Sequence, residues 1–190
     1  MKVLTIADLH GPLTEEEARF IADSCSSVCL LLGDIPLRTL RNIKELLGDK
    51  PVFGVLGNHD EYGLLEKAGI ENIHGKVVSF EGVSFLGLEG GPKYKNSPMS
   101  PLYTQSQMVT IANSLPKADV LVSHEGPYRL YSKEPAHCGF LGITNYIKRY
   151  RPKYVIHGHY HIEKITKKGF FDSSRVVCTY RVAEHELFIP

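Results

Sequence analysis

Five apolar runs in this chain stop in the same way. "VLTIA" runs into Asp8-Leu9-His10, "VCLLL" into Gly33-Asp34, and "VFGVL" into Gly57-Asn58-His59-Asp60; "VLV" runs into Ser123-His124, and "KYVIH" into Gly158-His159-Tyr160-His161. Runs this short and this apolar read as strands buried on both faces, the kind that parallel sheets are made of. Between them lie segments with helical periodicity and start signals. "LTEEEARFIADSC" opens with a capping box of Thr14 and Glu17, "LRTLRNIKELLG" stops at a glycine, and "TQSQMVTIANSL" repeats the box with Thr104 and Gln107. "FLGITNYIKRY" is a further helix. A β/α alternation of this kind places functional groups at the carboxyl ends of the strands.

Antiparallel additions interrupt the alternation. "KVVSFEGVSFLGL" alternates as a hairpin turning at Glu81-Gly82, and "RVVCTY" and "ELFI" are late strands. The expected architecture is therefore α/β, two mixed sheets packed together and flanked by helices. No repeat or linker divides the 190 residues, so residues 1–190 read as a single domain. The stretch 90–103, "GGPKYKNSPMSPLY", is a long loop of the sort that carries function or simply lies in solvent.

Composition narrows the partners. A net charge of +1 provides no electrostatic footprint for nucleic acid or for an anionic membrane. The apolar opening run is too short for a signal peptide, and no other run approaches membrane-spanning length. Four cysteines without a CxxC pair, mostly in apolar surroundings, fit reduced thiols and a cytoplasmic protein.

Taken singly, each strand-end motif has an ordinary reading: "GD" is usually a turn, and a histidine after a strand is usually a hydrogen-bonded structural residue. Five in succession resemble the calcineurin-like metallophosphoesterases, with "DLH", "GD", "GNHD", "SH" and "GHYH" matching in order from residue 8 to 161. The resemblance implies a four-layer α/β/β/α sandwich. It also implies that Asp8, His10, Asp34 and His161 ligate one metal, and that Asp34, Asn58, His124 and His159 ligate a second, with Asp34 bridging. His157 matches no ligand position and reads as a structural strand residue.

Imidazole, carboxylate and amide ligands together favour manganese, iron, cobalt, nickel or zinc over magnesium or calcium; the expectation is two divalent transition-metal ions, with manganese favoured. Two ions bring four positive charges against two anionic ligands, which leaves net positive charge for a hydroxide and a phosphate. A shared carboxylate sets the ions ~3.5–4 Å apart, where a bridging hydroxide can attack phosphorus in line. The implied activity is hydrolysis of a small phosphomonoester or phosphodiester.

His59 lies beside a ligand but outside the set, and the resemblance makes it the general acid. Phosphoprotein phosphatases of the family support that histidine with an aspartate three residues after the "GD" aspartate; this chain has Leu37 there. Asp60 has two readings, orienting His59 or capping a helix over "EYGLLEKAG", and the cap is preferred. A weaker match to a "HxPPxG" segment and a later "HxGS" suggests Tyr128 and His137 as substrate contacts, with Lys93, Lys95 and Arg129 as cations within reach of a phosphate. Three other functions remain open: a nuclease, disfavoured by charge; a phosphoprotein phosphatase, disfavoured by Leu37; and a non-catalytic protein-interaction scaffold. Oligomeric state is not legible.

Overall fold

The computed structural model describes residues 1–161 and 167–189. Its first sheet contains β1 (Lys2–Ala7), β2 (Val28–Leu31), β3 (Val52–Gly54) and β4 (Glu71–Asn72), all parallel. The second contains β5 (Val77–Phe80) and β6 (Val83–Leu88), a hairpin. The short pair β7 (Gly91–Pro92) and β8 (Leu102–Tyr103) closes the base of the 90–103 loop. The second sheet continues with β9 (Val120–Ser123), β10 (Tyr154–His157), β11 (Lys167–Phe171) and β12 (Ser174–Cys178); β13 (Arg181–Glu186) returns to the first. The orders are β13-β1-β2-β3-β4 and β11-β12-β10-β9-β6-β5, with antiparallel strands only at the edges.

Alternation along each strand explains the layers. Val3 and Ala7 of β1, and Val28 and Leu30 of β2, face Val120, Val122, Tyr154 and Ile156 of the opposite sheet, all buried. The intervening Leu4, Ile6, Cys29 and Leu31 face outward. They pack against Ile21 of α1 (Glu15–Asp23), Leu40 and Ile43 of α2 (Leu37–Leu47), and Leu65 of α3 (Leu64–Lys67). On the far side Leu86, Leu121 and Val155 meet Met108 of α4 (Gln105–Ser114) and Ile143 and Ile147 of α5 (Leu141–Tyr150). The result is the four-layer α/β/β/α sandwich.

Local signals hold where they were strong. Both capping boxes form, Thr14 with Glu17 and Thr104 with Gln107. Glu81 and Gly82 turn the hairpin with φ of 47° and 78°, the left-handed geometry that a two-residue loop requires.

Three expectations at element level need correction. The last strand is Arg181–Glu186, so of "ELFI" only Glu186 belongs to it, although Leu187 is buried just past its end. Its partly exposed, charged residues suit an edge strand, where apolar content is a poor guide. β11 was not foreseen, because "KKGFF" lacks alternation and gains its ladder only by pairing with β12. Asp60 caps no helix: α3 starts after Gly63, whose left-handed φ of 81° breaks the turn.

Candidate metal centre

The carboxyl ends of β1, β2, β3, β9 and β10 meet at one edge of the sandwich. The chain leaves those strands abruptly, and four side chains sit on left-handed backbone to do so: Asp8 (φ 54°), His10 (52°), Asp34 (57°) and His159 (69°). Each such residue costs about 1–3 kcal/mol of local strain, which persists where a site requires it. Glycines allow the close approaches: a Cβ on Gly57 would collide with Asp34 Oδ1, and one on Gly158 would stand 2.8 Å from the Ala7 Cβ and 2.9 Å from Asp8 Oδ2.

Two groups of ligand-type atoms result, each within 4.8 Å internally. In the first, His10 Nε2 and His161 Nε2 are 3.2 Å apart and His161 Nε2 is 3.5 Å from Asp8 Oδ1. In the second, His124 Nε2 is 3.5 Å from Asp34 Oδ2 and 3.1 Å from His159 Nδ1. Asn58 Oδ1 joins it, 2.8 Å from His124 Nε2. The structure thus separates His159 from His161 and sends them to different groups, while His157 packs against Tyr131 and Tyr160 outside both. Burial pushes the His157 pKa down to about 4, as befits a neutral core ring.

The hydrogen bonds around these groups decide which way their lone pairs point. His124 Nδ1 sits 2.6 Å from the Leu32 carbonyl and must donate to it; His159 Nε2 does the same toward the Ala136 carbonyl at 2.9 Å. Those donations leave His124 Nε2 and His159 Nδ1 as acceptors facing inward. Asp34 Oδ1 takes the His59 backbone N–H and Asp8 Oδ2 takes that of His159, both at 2.8 Å. The other oxygens, Asp8 Oδ1 and Asp34 Oδ2, are buried without a hydrogen-bond partner. In the second group acceptors therefore converge on one another, and in both groups a buried carboxylate oxygen faces imidazole nitrogens, an arrangement that a cation satisfies.

Electrostatics agree. Burial opposes charge on His124, but Asp34 and Asp8 outweigh it and leave its pKa raised, so the site attracts positive charge. Burial drives His159 down to about 3, keeping its ring neutral and ready to ligate.

Asp60 has a role that periodicity could not reveal. Its Oδ2 accepts the backbone N–H of Asp34 at 2.8 Å and of Gly57 at 2.7 Å, clamping together the loops after β2 and β3. Burial first, and Asp34 second, raise its pKa to about 7. It does not orient His59. That ring is exposed, 5.6 Å from the His10 ring, with a pKa lowered by burial and only partly restored by Asp34.

A cavity of about 170 Å³ opens over the second group, lined by Asp34, Asn58, His59, Tyr94, Ala136, His137, His159 and His161. His137 stacks on His159 with centroids 4.8 Å apart. Tyr94 reaches in from the 90–103 loop, its hydroxyl 3.4 Å from Asn58 Nδ2, while Lys95 lies over the Tyr94 ring. Tyr128 does not line this cavity, and Arg129 covers its ring instead. A larger hollow of about 790 Å³, between Gly11–Leu13 and α2, contains none of the ligand-type residues. Sequence reasoning missed Tyr94 and also Glu125, a fully buried carboxylate next to His124. An acid at the end of an apolar run was the signal available.

Comparison with known proteins places this geometry. The calcineurin-like phosphoesterase family matches residues 1–163. An uncharacterized protein of Haemophilus influenzae is 26% identical over 214 residues, covering 88% of this chain and 91% of that protein. TT1561 of Thermus thermophilus superposes with a TM-score of 0.63 at 18% identity, covering 93% of this chain and 88% of the other. GAP50, the anchor in the inner membrane complex of Plasmodium, gives 0.55 at 14%, covering 94% and 70%. A Vps29 mutant from Entamoeba histolytica gives 0.51 at 14%, covering 94% and 73%. At such identities the structural matches speak for the fold.

Proposed function

The chain belongs to the calcineurin-like phosphoesterases, and from that premise we propose that it hydrolyses a small phosphomonoester or phosphodiester with two divalent transition-metal ions. In this reading Asp8, His10 and His161 hold one ion, Asn58, His124 and His159 hold the other, and Asp34 is shared. The observation that carries it is the pair of buried carboxylate oxygens, Asp8 Oδ1 and Asp34 Oδ2, that lack a conventional hydrogen bond and face the imidazoles of the two groups. When bound, the ions would polarise phosphoryl oxygens and acidify a water for in-line attack.

The chain's own residues supply the rest. Backbone N–H groups of His59 and His159 occupy one oxygen of each aspartate and leave the other free to ligate. The Leu32 and Ala136 carbonyls hold His124 and His159 in the ligating tautomer. His59, at the cavity mouth and outside both groups, is assigned to protonating the leaving oxygen. His137 and Tyr94 on the rim of the cavity of about 170 Å³ are assigned to substrate contact, and a second hollow of about 310 Å³ adjoins the site at His10, Asp34 and His59. Manganese is the ion we favour. Among the described residues no helix is long and apolar enough to cross a membrane, and four free cysteines support a cytoplasmic setting.

A second reading, a non-catalytic interaction scaffold, draws support from the shared fold of Vps29 and of GAP50, an anchor by its description. One experiment separates the two. Chelated protein is reloaded with manganese, iron, cobalt, nickel or zinc, the bound ions are counted, and nitrophenyl phosphate and its bis-ester are offered. Two ions with metal-dependent turnover are expected; full occupancy without turnover of any ester would favour the scaffold.

A further inference from the structure

Glu125 lies at the exit of β9, completely buried, and no residue of the site described above explains it. Its Oε1 accepts the Gly126 backbone N–H at 2.7 Å. Its Oε2 is buried without a hydrogen-bond partner and lies 3.4 Å from His159 Nε2, the ring nitrogen turned away from the ligand group. The Tyr160 hydroxyl, which donates to the His137 carbonyl at 2.8 Å, and the Gly139 backbone also lie against this carboxylate. Among the described residues, His159 is the ion-pairing contact that Glu125 makes.

We propose that Glu125 is a positioning residue for the second metal position: its carboxylate shares the Nε2–H of His159 with the Ala136 carbonyl and thereby holds Nδ1 on the ion. The inference rests on the two-ion reading. A histidine that ligates through one nitrogen donates through the other, and a carboxylate acceptor both fixes the ring and makes it a stronger ligand. The Ala136 carbonyl alone, 2.9 Å away, would settle the tautomer. What a carbonyl lacks is charge. The carboxylate also gains from the partnership, because a buried anion is costly unless polarised donors face it. An ion on Nδ1 supplies that polarisation through the ring, so ion and carboxylate stabilise each other across one imidazole. The side chain's shape is not the point, since glutamine would fill the same volume. The main-chain carbonyl of Glu125, which accepts from Ser123 Oγ at 2.7 Å, is the same in either residue.

The test compares wild type with Glu125→Gln. Metal-free protein is titrated calorimetrically with Mn²⁺, and thermal unfolding is followed with chelator present. In the variant one ion should bind as in wild type and the other about 10–100-fold more weakly, while the metal-free melting temperature does not fall. A structural role would do the opposite, lowering that temperature. Unchanged affinity at both positions would overturn the proposal while leaving the two-ion reading intact. Fewer than two ions on wild type would remove both. Should the variant not fold, the structure of metal-loaded wild type decides: Oε2 should close to within about 2.7–3.2 Å of His159 Nε2, and a gap wider than the present 3.4 Å refutes the idea.

Discussion

Replacing Asp60 should be far more damaging than its place in a loop suggests. One oxygen, Oδ2, receives two backbone N–H groups, from Asp34 and Gly57, and the residue is only 7% exposed. In Asp60→Ala both donors lose their acceptor inside the protein, where water has little access. Each orphaned buried donor costs about 1–3 kcal/mol, so the pair costs roughly 2–6 kcal/mol. Against a total stability of about 5–15 kcal/mol that is a large loss. Asp60→Asn retains an oxygen at the same place and should cost only about 0–1 kcal/mol. The two clamped loops carry Asp34 and Asn58, so the alanine variant should also bind metal more weakly. Urea unfolding with chelator present, read at equal m-values, measures the stability term free of any bound ion. An alanine variant within about 1 kcal/mol of wild type, or an asparagine variant as unstable as alanine, would refute the clamp.

Asp34→Asn is expected to lower bound metal and turnover together, because the shared carboxylate serves both positions; metal analysis beside a rate measurement checks it, and near-normal values in both would be incompatible with sharing. His59→Ala should keep both ions and lose ~10²–10⁴-fold in rate on esters with poor leaving groups, with a smaller loss on nitrophenyl esters. A penalty that ignores leaving-group acidity would deny the acid role. Arg181 pairs with Glu17 through both guanidinium nitrogens that face it, Nε and Nη2, and although burial works to raise the Glu17 pKa, Arg181 together with the Thr14 cap outweighs it and leaves it below the usual range. A lowered carboxylate contributes stability above its unfolded pKa and loses it as pH falls through the folded one. Arg181→Met should therefore be less stable than wild type at neutral pH, with the difference shrinking in acid; a pH-independent gap in urea midpoints would contradict the pairing.

Much of the fold was legible because the signals are local. The capping boxes at Thr14 and Thr104 involve residues three apart, and the Glu81-Gly82 turn depends on two backbone angles. Inward and outward faces of β1 and β2 follow from alternation alone. The ligand-type residues were legible because each lies within about four positions of a strand's end, and the resemblance of those strand-end motifs to the calcineurin-like phosphoesterases implied which of them ligate. Sequence could not say where those ends meet, nor which atoms there remain idle. β13 was misjudged because its partner β1 lies about 180 positions away, and pairing, not apolar content, makes it a strand. Asp60 looked like a cap because the residues after it are helical in pattern; its carboxylate instead spans to Asp34, 26 positions earlier, across two loops that only the packed sheet brings together. Glu125 and His124 are adjacent in sequence just past β9, and both reach His159, His124 at Nδ1 and Glu125 at Nε2, a pairing across more than thirty positions that no local pattern announces. Local periodicity determines which residues are buried and which lie at strand ends. Only the stacking of two sheets, edge aligned with edge, decides which buried polar atoms find a partner and which are left for an ion.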